Sequence, residues 1–377
     1  MRFETRVIHA GQEPDETTGA LVPPIHPAAA FVRESVDQPR EFRYARSGSP
    51  TRAALESALA CLENGTHAYA FGSGMAAVTA AAQLLRAGDH CLISDDVYGN
   101  TYRLFTEILP AYQVSCGFAD FTDLDRTRAA IRPDTRMIWI ESPTNPHMKV
   151  VDLAALAEIG RAHEALTVVD NSFCSPFFQC PLDFGVDVVV ESTTKYLNGH
   201  DDLMGGAAIT RDGSLAERLA AIQYVMGAIP SAFDCWLLLR GLRTLHVRME
   251  RHHDNGLAIA GWLEAHPKVV GVHHPGLASH PQHALAERQQ GGYSGMLAFD
   301  VRGGRQAAKA VAEGTHLFAL AAGLGGVESL IAYPYAMSHA SQVGSTLSPG
   351  EGLLRLSVGI EHIDDLIADL DQALARA

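Results

Sequence analysis

Cysteine is scarce in this chain and scattered where it occurs. Cys61, Cys91, Cys116, Cys174, Cys180 and Cys235 form no C-x-x-C pair and show no metal-ligand spacing. That excludes a disulfide framework and reads as the reduced thiols of a cytoplasmic chain. Long apolar runs are missing too: nothing approaches the ~18 consecutive apolar residues a membrane span needs. Met1 to Gly11 lacks an apolar core flanked by positive charge, so no signal peptide is expected. Positive charge is in deficit, with 29 lysines and arginines against 43 acidic residues and a net charge of −14. A surface of that sign repels phosphate backbones and anionic lipid, so neither nucleic acid nor a membrane surface is an expected partner. There is no internal repeat and no low-complexity tract. With 47% hydrophobic and 19% charged residues, the chain reads as globular rather than disordered.

The length, 377 residues, suits two domains. Gln12 to Pro27 carries Pro14, Gly19, Pro23, Pro24 and Pro27 and no periodic apolar face, so the first ~45 residues read as a stretch that is functional or wraps over a neighbour. From Pro50 the pattern alternates. Helices are expected over Pro50–Glu63, Met75–Leu85, Asp123–Ile131 and Leu153–His163. Short buried strands are expected over Ala68–Phe71, His90–Ile93, Gln113–Cys116, Met137–Ile140, Leu166–Val169 and Val186–Val190. This alternation predicts a mostly parallel sheet covered on both faces. After Gly206 the rhythm changes: long helices over Ala232–His253 and Gly256–Ala265, strands over Met296–Val301 and Leu353–Val358, and a closing helix over His362–Arg376. That predicts a smaller α+β domain.

Two strand ends carry chemistry. Glu191-Ser-Thr-Thr-Lys-Tyr-Leu-Asn-Gly-His200 follows the run Val186–Val190, placing Lys195 where α/β sheets bind ligands. A lysine flanked by hydroxyls suits a Schiff base to an aldehyde cofactor, with Ser192 and Thr194 free to donate to a phosphate. A solvated loop lysine is the plainer reading of that residue alone. Asp170 closes Leu166–Asp170 and can pair with a pyridinium nitrogen, although Asp before Asn and Ser is more often a cap. The turn Gly72-Ser-Gly-Met-Ala-Ala77 can hold an anion at a helix start. It also satisfies G-x-G-x-x-A with Asp95 about 20 residues on, which leaves a dinucleotide site open.

Further motifs settle the choice by resemblance. Tyr44-Ala-Arg-Ser-Gly-Ser-Pro-Thr-Arg52, Ser73-Gly-Met-Ala-Ala77, Asp96-Val-Tyr-Gly99, Glu141-Ser-Pro-Thr-Asn-Pro146 and Val169-Asp-Asn171 occur in that order. Ser192-Thr-Thr-Lys-Tyr-Leu-Asn-Gly-His200, Arg240-Gly-Leu-Arg-Thr-Leu245, Leu324-Gly-Gly-Val-Glu-Ser-Leu330 and Leu354-Arg-Leu-Ser-Val-Gly359 follow. Together they resemble the Cys/Met-metabolism family of pyridoxal-phosphate (PLP) enzymes over nearly the whole chain.

The resemblance implies an aspartate-aminotransferase-like fold, fold type I. A large α/β cofactor domain with a mostly parallel sheet is followed by a small α+β C-terminal domain. The corresponding division is an N-terminal arm over 1–48 reaching the neighbouring subunit, a PLP-binding domain over 49–242 and a small domain over 243–377. By position, Lys195 binds the cofactor aldehyde, Asp170 holds its ring nitrogen, Tyr98 stacks on the ring and Asn145 lies near its 3′-oxygen. Gly74, Met75, Ser192 and Thr194 hold the phosphate, joined by Tyr44 and Arg46 of a neighbouring copy. Arg355 takes the substrate α-carboxylate, a task suited to guanidinium, with Ser329 beside it. The expected assembly is a homotetramer of two active dimers.

The sequence departs from the family pattern at Ser49, His26–Ala30, Ala322-Gly323, Asp201 and a shortened Ala340–Gly352 loop. The arm and that loop border the substrate channel. His273, His274, His280 and His283, with His252 and His253 upstream, invite a metal test. Lacking a cysteine or carboxylate ligand at suitable spacing and interrupted by prolines, they read as solvated loop histidines, and no metal is expected. Cys116 and Cys174 read as core packing. The expected activity is γ-elimination on cystathionine or a related sulfur amino acid, giving cysteine, 2-oxobutanoate and ammonia. Cystathionine γ-synthase, methionine γ-lyase and cystathionine β-lyase are the family alternatives. An NAD-dependent dehydrogenase and a histidine-built metal-binding protein are the rivals from other classes.

Overall fold

The short apolar stretches pair into one large sheet in the computed structural model, which describes every residue except Pro39 and Thr346. Its strands are β1 (His67–Phe71), β2 (His90–Ser94), β3 (Ser115–Ala119), β4 (Thr135–Glu141), β5 (Leu166–Asp170), β6 (Val188–Glu191) and β7 (Gly206–Thr210). They lie in the order β1-β7-β6-β5-β4-β2-β3. The run from β3 to β6 is parallel, and β7 is antiparallel to both β6 and β1.

Alternation explains why the sheet is covered twice. Successive side chains of a strand point to opposite faces. Ile138, Ile140 and Val169 therefore pack on one side with Leu153 and Leu156 of the helix Leu153–Ala162. Met137, Trp139, Val168 and Val190 pack on the other with Ala77 and Ala81 of the helix Gly74–Ala82. Because β4, β5 and β6 are parallel, Glu141, Asp170 and Glu191 end along one edge. This is the large-sheet α/β architecture of fold type I.

A second sheet follows in the chain: β8 (Val269–His273), β9 (Met296–Val301), β10 (Ala319–Leu320), β11 (Leu330–Ala332) and β12 (Leu353–Ser357), in the order β10-β11-β12-β9-β8. Leu297, Phe299, Leu354 and Leu356 bury against the helices Leu245–Glu264, Gly304–Ala312 and Ile363–Leu374. No helix among the described residues is long and apolar enough to cross a membrane.

Several expected elements are redrawn. The long helix expected from Ala232 ends at Leu242, and a second runs unbroken over Leu245–Glu264. The break falls where the Gly241 carbonyl accepts from Arg248 Nη2 and Thr244 N. Gly256, expected as a boundary, stays helical: a Cβ there would lie 3.0 Å from the Ser294 carbonyl oxygen, so it is a close-packing position. β3 starts later than Gln113 because Gln113 sits at φ 61° and ends the preceding 3-10 turn. β7 and the helix Gly213–Met226 had no expectation attached to them. The histidines are not solvated as a group. His252, His274 and His280 are buried, and Tyr293 packs against the rings of His253, His274 and His283. No metal-holding group of histidine, cysteine or carboxylate occurs among the described residues.

Candidate active site

The edge of the large sheet gathers the reactive groups. Asp170 ends β5, and its Oδ1 accepts from Ser172 N at 3.0 Å. Burial raises its pKa, and the hydrogen bonds from Ser172, followed by the Lys195 amine, pull it back. Lys195 lies in the turn after β6, where its N–H donates to the Ser192 carbonyl at 3.0 Å. Burial lowers the pKa of its amine, Arg355 lowers it further, and Asp201 and Asp170 oppose them. A partly desolvated amine between a guanidinium and a carboxylate suits covalent and proton-transfer chemistry.

The turn is built from its own hydroxyls. Thr194 Oγ1 donates to the Gly205 carbonyl at 3.1 Å and accepts from Gly205 N at 3.0 Å. Ser192 N donates to Ser172 Oγ at 2.7 Å. Opposite lies the helix Gly74–Ala82, capped by Ser73, whose Oγ accepts from Ala76 N. Only glycine fits at 74, since a Cβ there would stand 2.7 Å from Ser192 Oγ. A helix start carrying Gly74 and Met75 thus faces the Ser192 hydroxyl, which makes an anion cradle.

The remaining walls come from both sheets. Arg355, in the middle of β12, is buried; its Nη1 donates to Asn145 Oδ1 at 3.0 Å and its Nη2 to the Gly323 carbonyl at 2.9 Å. Its Nε is buried without a protein partner. Burial lowers the guanidinium to about 10, which leaves it charged at neutral pH. Tyr98 is fixed through its backbone, whose N–H donates to Glu141 Oε2 at 2.9 Å. Asp96 holds the same segment to the Asn145 side by accepting from the Thr144 hydroxyl, from His147 N at 3.1 Å and from His147 Nδ1 at 2.8 Å.

Lys195, Asp170, Ser192, Thr194, Gly74, Met75, Tyr98, Asn145 and Arg355 are thus brought to one edge. Ser329 is not beside Arg355. Arg355 pairs across the sheet with Ala332, and the Ser329 hydroxyl is committed to Glu361 Oε2 at 2.9 Å and Gly359 N at 2.8 Å. Tyr44 and Arg46 also lie apart, on the arm, where the Arg46 guanidinium stands over Tyr224 at 4.8 Å and Tyr44 at 5.6 Å. The dinucleotide reading fails on geometry: Asp95 is bound by Lys149 Nζ at 2.9 and 3.0 Å, and β1 is an edge strand.

Several contributing residues carried no role in the sequence reading. Glu141 sits in a motif recognised only by resemblance. Arg248, the buried carboxyls Glu63 and Glu191 around Asn171, and His339 and Gln342 gave no local signal.

The site fits PLP. It offers a desolvated amine, a carboxylate at a neighbouring strand end, a glycine-lined anion cradle and an unspent guanidinium donor. Fold and site define a PLP-dependent enzyme. More narrowly, the chain belongs to the Cys/Met metabolism PLP-dependent enzyme family, whose model matches residues 4–375. Cystathionine gamma-synthase of Mycobacterium tuberculosis (strain ATCC 25618 / H37Rv) is 50% identical over 372 residues, covering 98% of this chain and 96% of that protein. Cystathionine gamma-lyase of Dictyostelium discoideum is 48% identical over 379 residues, covering 100% and 98%. The crystal structure of metB from Corynebacterium glutamicum superposes with a TM-score of 0.98 at 42% identity, covering 100% of this chain and 98% of that one.

Proposed function

We propose that the chain catalyses γ-elimination on cystathionine or a close sulfur amino acid, working as a cytoplasmic homotetramer. The observation carrying this reading is the desolvated Lys195 amine flanked by Arg355 and Asp170. PLP, when bound, supplies an electron sink joined to the substrate α-carbon. Lys195 Nζ would hold the cofactor and would take the Cα proton of a bound substrate. Asp170 would hold a proton on the ring nitrogen, and Tyr98 would cover the ring. Gly74, Met75, Ser192 and Thr194 hold the phosphate, with Tyr44 and Arg46 arriving from a neighbouring copy. Arg355 and Asn145 grip the α-carboxylate, the free Nε–H of Arg355 supplying one donor. Loss of a Cβ proton supplies the electron pair that forms the Cβ=Cγ bond as the Cγ–S bond breaks; the sulfur takes up a proton and leaves as cysteine, and water converts the four-carbon remainder to 2-oxobutanoate and ammonia.

A second reading, γ-replacement of an O-acyl homoserine by cysteine, is favoured by the 50% identity to the mycobacterial γ-synthase. Both reactions use the same residues up to loss of the γ-substituent. The test is a product assay at equal enzyme concentration, with cystathionine alone and with O-acyl homoserine plus cysteine. Faster release of cysteine and 2-oxobutanoate supports elimination. Faster cystathionine synthesis assigns the synthase, and pyruvate with homocysteine points to a β-lyase.

A further inference from the structure

Besides Arg355, a short segment of the C-terminal half reaches back onto the cofactor pocket. Ser338 to Gln342 lies against Val97–Gly99 and Asn145, the two stretches that present Tyr98 and the partner of Arg355. Four contacts make the junction. His339 Nε2 meets the Asn145 carbonyl at 2.9 Å. Gln342 Nε2 donates to the Val97 carbonyl at 3.1 Å, and Ser341 Oγ to the Gly99 carbonyl at 3.5 Å. The Ser338 carbonyl oxygen stands 2.2 Å from where a Gly99 Cβ would be, so the backbones touch. His339 and Gln342 are both buried.

The bonding fixes the tautomer of His339. A carbonyl only accepts, so Nε2 carries the hydrogen; Nδ1 is then the acceptor of the Ser338 hydroxyl at 2.8 Å. A neutral ring with its hydrogen on Nε2 satisfies both contacts. Burial lowers its pKa to about 4; among the charges facing it, Arg355 and His147 push the same way and Asp96 opposes.

We infer that His339 and Gln342 are positioning residues that tie the α-carboxylate grip of Asn145 and Arg355 to the placement of Tyr98. The inference rests on the proposed function, because it assumes that Arg355 and Asn145 bind an amino-acid carboxylate. Nothing else on the Asn145 carbonyl is needed to explain its direction: His339 pulls it one way, and Asn145 Oδ1 is left to orient the guanidinium.

Glycine is the probe, since it offers an α-carboxylate and α-amine but no leaving group. Its dissociation constant is read on the PLP-loaded enzyme from the cofactor's absorbance. His339→Leu should weaken glycine binding by about fivefold or more, the scale of one buried hydrogen bond. His339→Gln keeps a donor at the Nε position and should bind within about twofold of the parent, on the same scale. Equal binding by the parent and the Leu variant overturns the inference. So does a Gln variant as weak as Leu, which would mean that ring volume alone matters.

Hydrogen exchange on the parent provides an arm that needs no variant. Saturating glycine should slow exchange at Val97–Gly99 and Ser338–Gln342 together, and slowing at only one of them refutes the coupling. A parent that binds PLP but not glycine would instead overturn the functional reading itself.

Discussion

Removing the Arg248 guanidinium should loosen the turn that carries Lys195. Arg248 is buried in the helix Leu245–Glu264. Its Nη1 donates to the Tyr196 carbonyl at 2.7 Å, its Nη2 to Gly241 at 2.8 Å and Leu197 at 3.4 Å, and its Nε to Thr244 Oγ1 at 3.1 Å. Its hydrogen bonds run to carbonyls and one hydroxyl, so backbone dipoles carry the charge. Burial lowers it to about 10, which leaves it protonated at neutral pH. Gly199 completes the fit: its φ is +74°, and a Cβ there would stand 1.9 Å from Nη1.

Arg248→Met keeps the length of the side chain and deletes every donor. The Tyr196 and Leu197 carbonyls then lose their partner in a dry interior, at about 1–3 kcal/mol each, whereas the Gly241 carbonyl keeps Thr244 N. Relief of the guanidinium's own desolvation offsets part of that. The expected net loss is about 2 kcal/mol, with the offset keeping it at the low end of the sum. The assay is chemical denaturation followed by the fluorescence of the three tryptophans. Gly199→Ala should act on the same contact, so the double variant should lose clearly less than the two single losses added together. A loss under about 1 kcal/mol for Arg248→Met, or full additivity, refutes the reasoning.

Three further outcomes are expected. Burial lowers the pKa of His252 to about 4 against 6.5 in an unfolded chain, so the unfolded state takes up a proton between those values and stability is lost as pH falls from 6.5 towards 4. His252→Gln should shed that contribution, and the parent should lose up to about 1.4 kcal/mol more than the variant per pH unit between pH 6 and pH 5. Pairing parent and variant cancels Glu63, raised by burial to about 7, whose stabilisation is present below its unfolded pKa and lost as pH rises through 7. Identical slopes would contradict the burial argument. Asp201 raises the Lys195 pKa, so Asp201→Ser should shift the acid limb of the pH–rate profile to lower pH; no shift, or a shift to higher pH, removes Asp201 from the field of the amine. Mixing inactive Arg46→Ala and Lys195→Ala proteins should restore activity through hybrid dimers, and proven subunit exchange without recovery defeats the cross-subunit role of Arg46.

The large sheet was legible because its strands are short, apolar and buried on both faces, so Met137–Ile140 or Leu166–Val169 announce themselves without help from tertiary context. The strand ends were legible for the same reason, since Asp170 and Lys195 directly follow such runs. β7 was not, because Gly206-Ala-Ala-Ile-Thr210 opens on a glycine and two alanines, weak strand formers, and is held as a strand by its neighbours β6 and β1. Gly256 misled because a packing glycine and a helix stop look alike in sequence. Ser329 misled in another way: proximity in the motif said nothing of Glu361, which takes its hydroxyl from 32 residues away. The roles of Arg248, His339 and Gln342 depend on contacts with distant backbone carbonyls, which leave no local pattern. Burial of His252 and His274 came from packing against Tyr196 and Tyr293, which spacing alone does not encode.

The central claim is that Lys195 is the residue to which the cofactor is bound. The chain has four lysines, Lys149, Lys195, Lys268 and Lys309, so the test has few outcomes. Lys149 is held by Asp95 and Asp120, and Lys268 by the carbonyls of Leu374, Ala375 and Ala377. Borohydride reduction of the PLP-loaded protein followed by peptide mass mapping should place a single pyridoxyl group on Lys195. A pyridoxyl group on any other lysine, or a PLP-loaded protein that borohydride leaves unlabelled, would contradict the account.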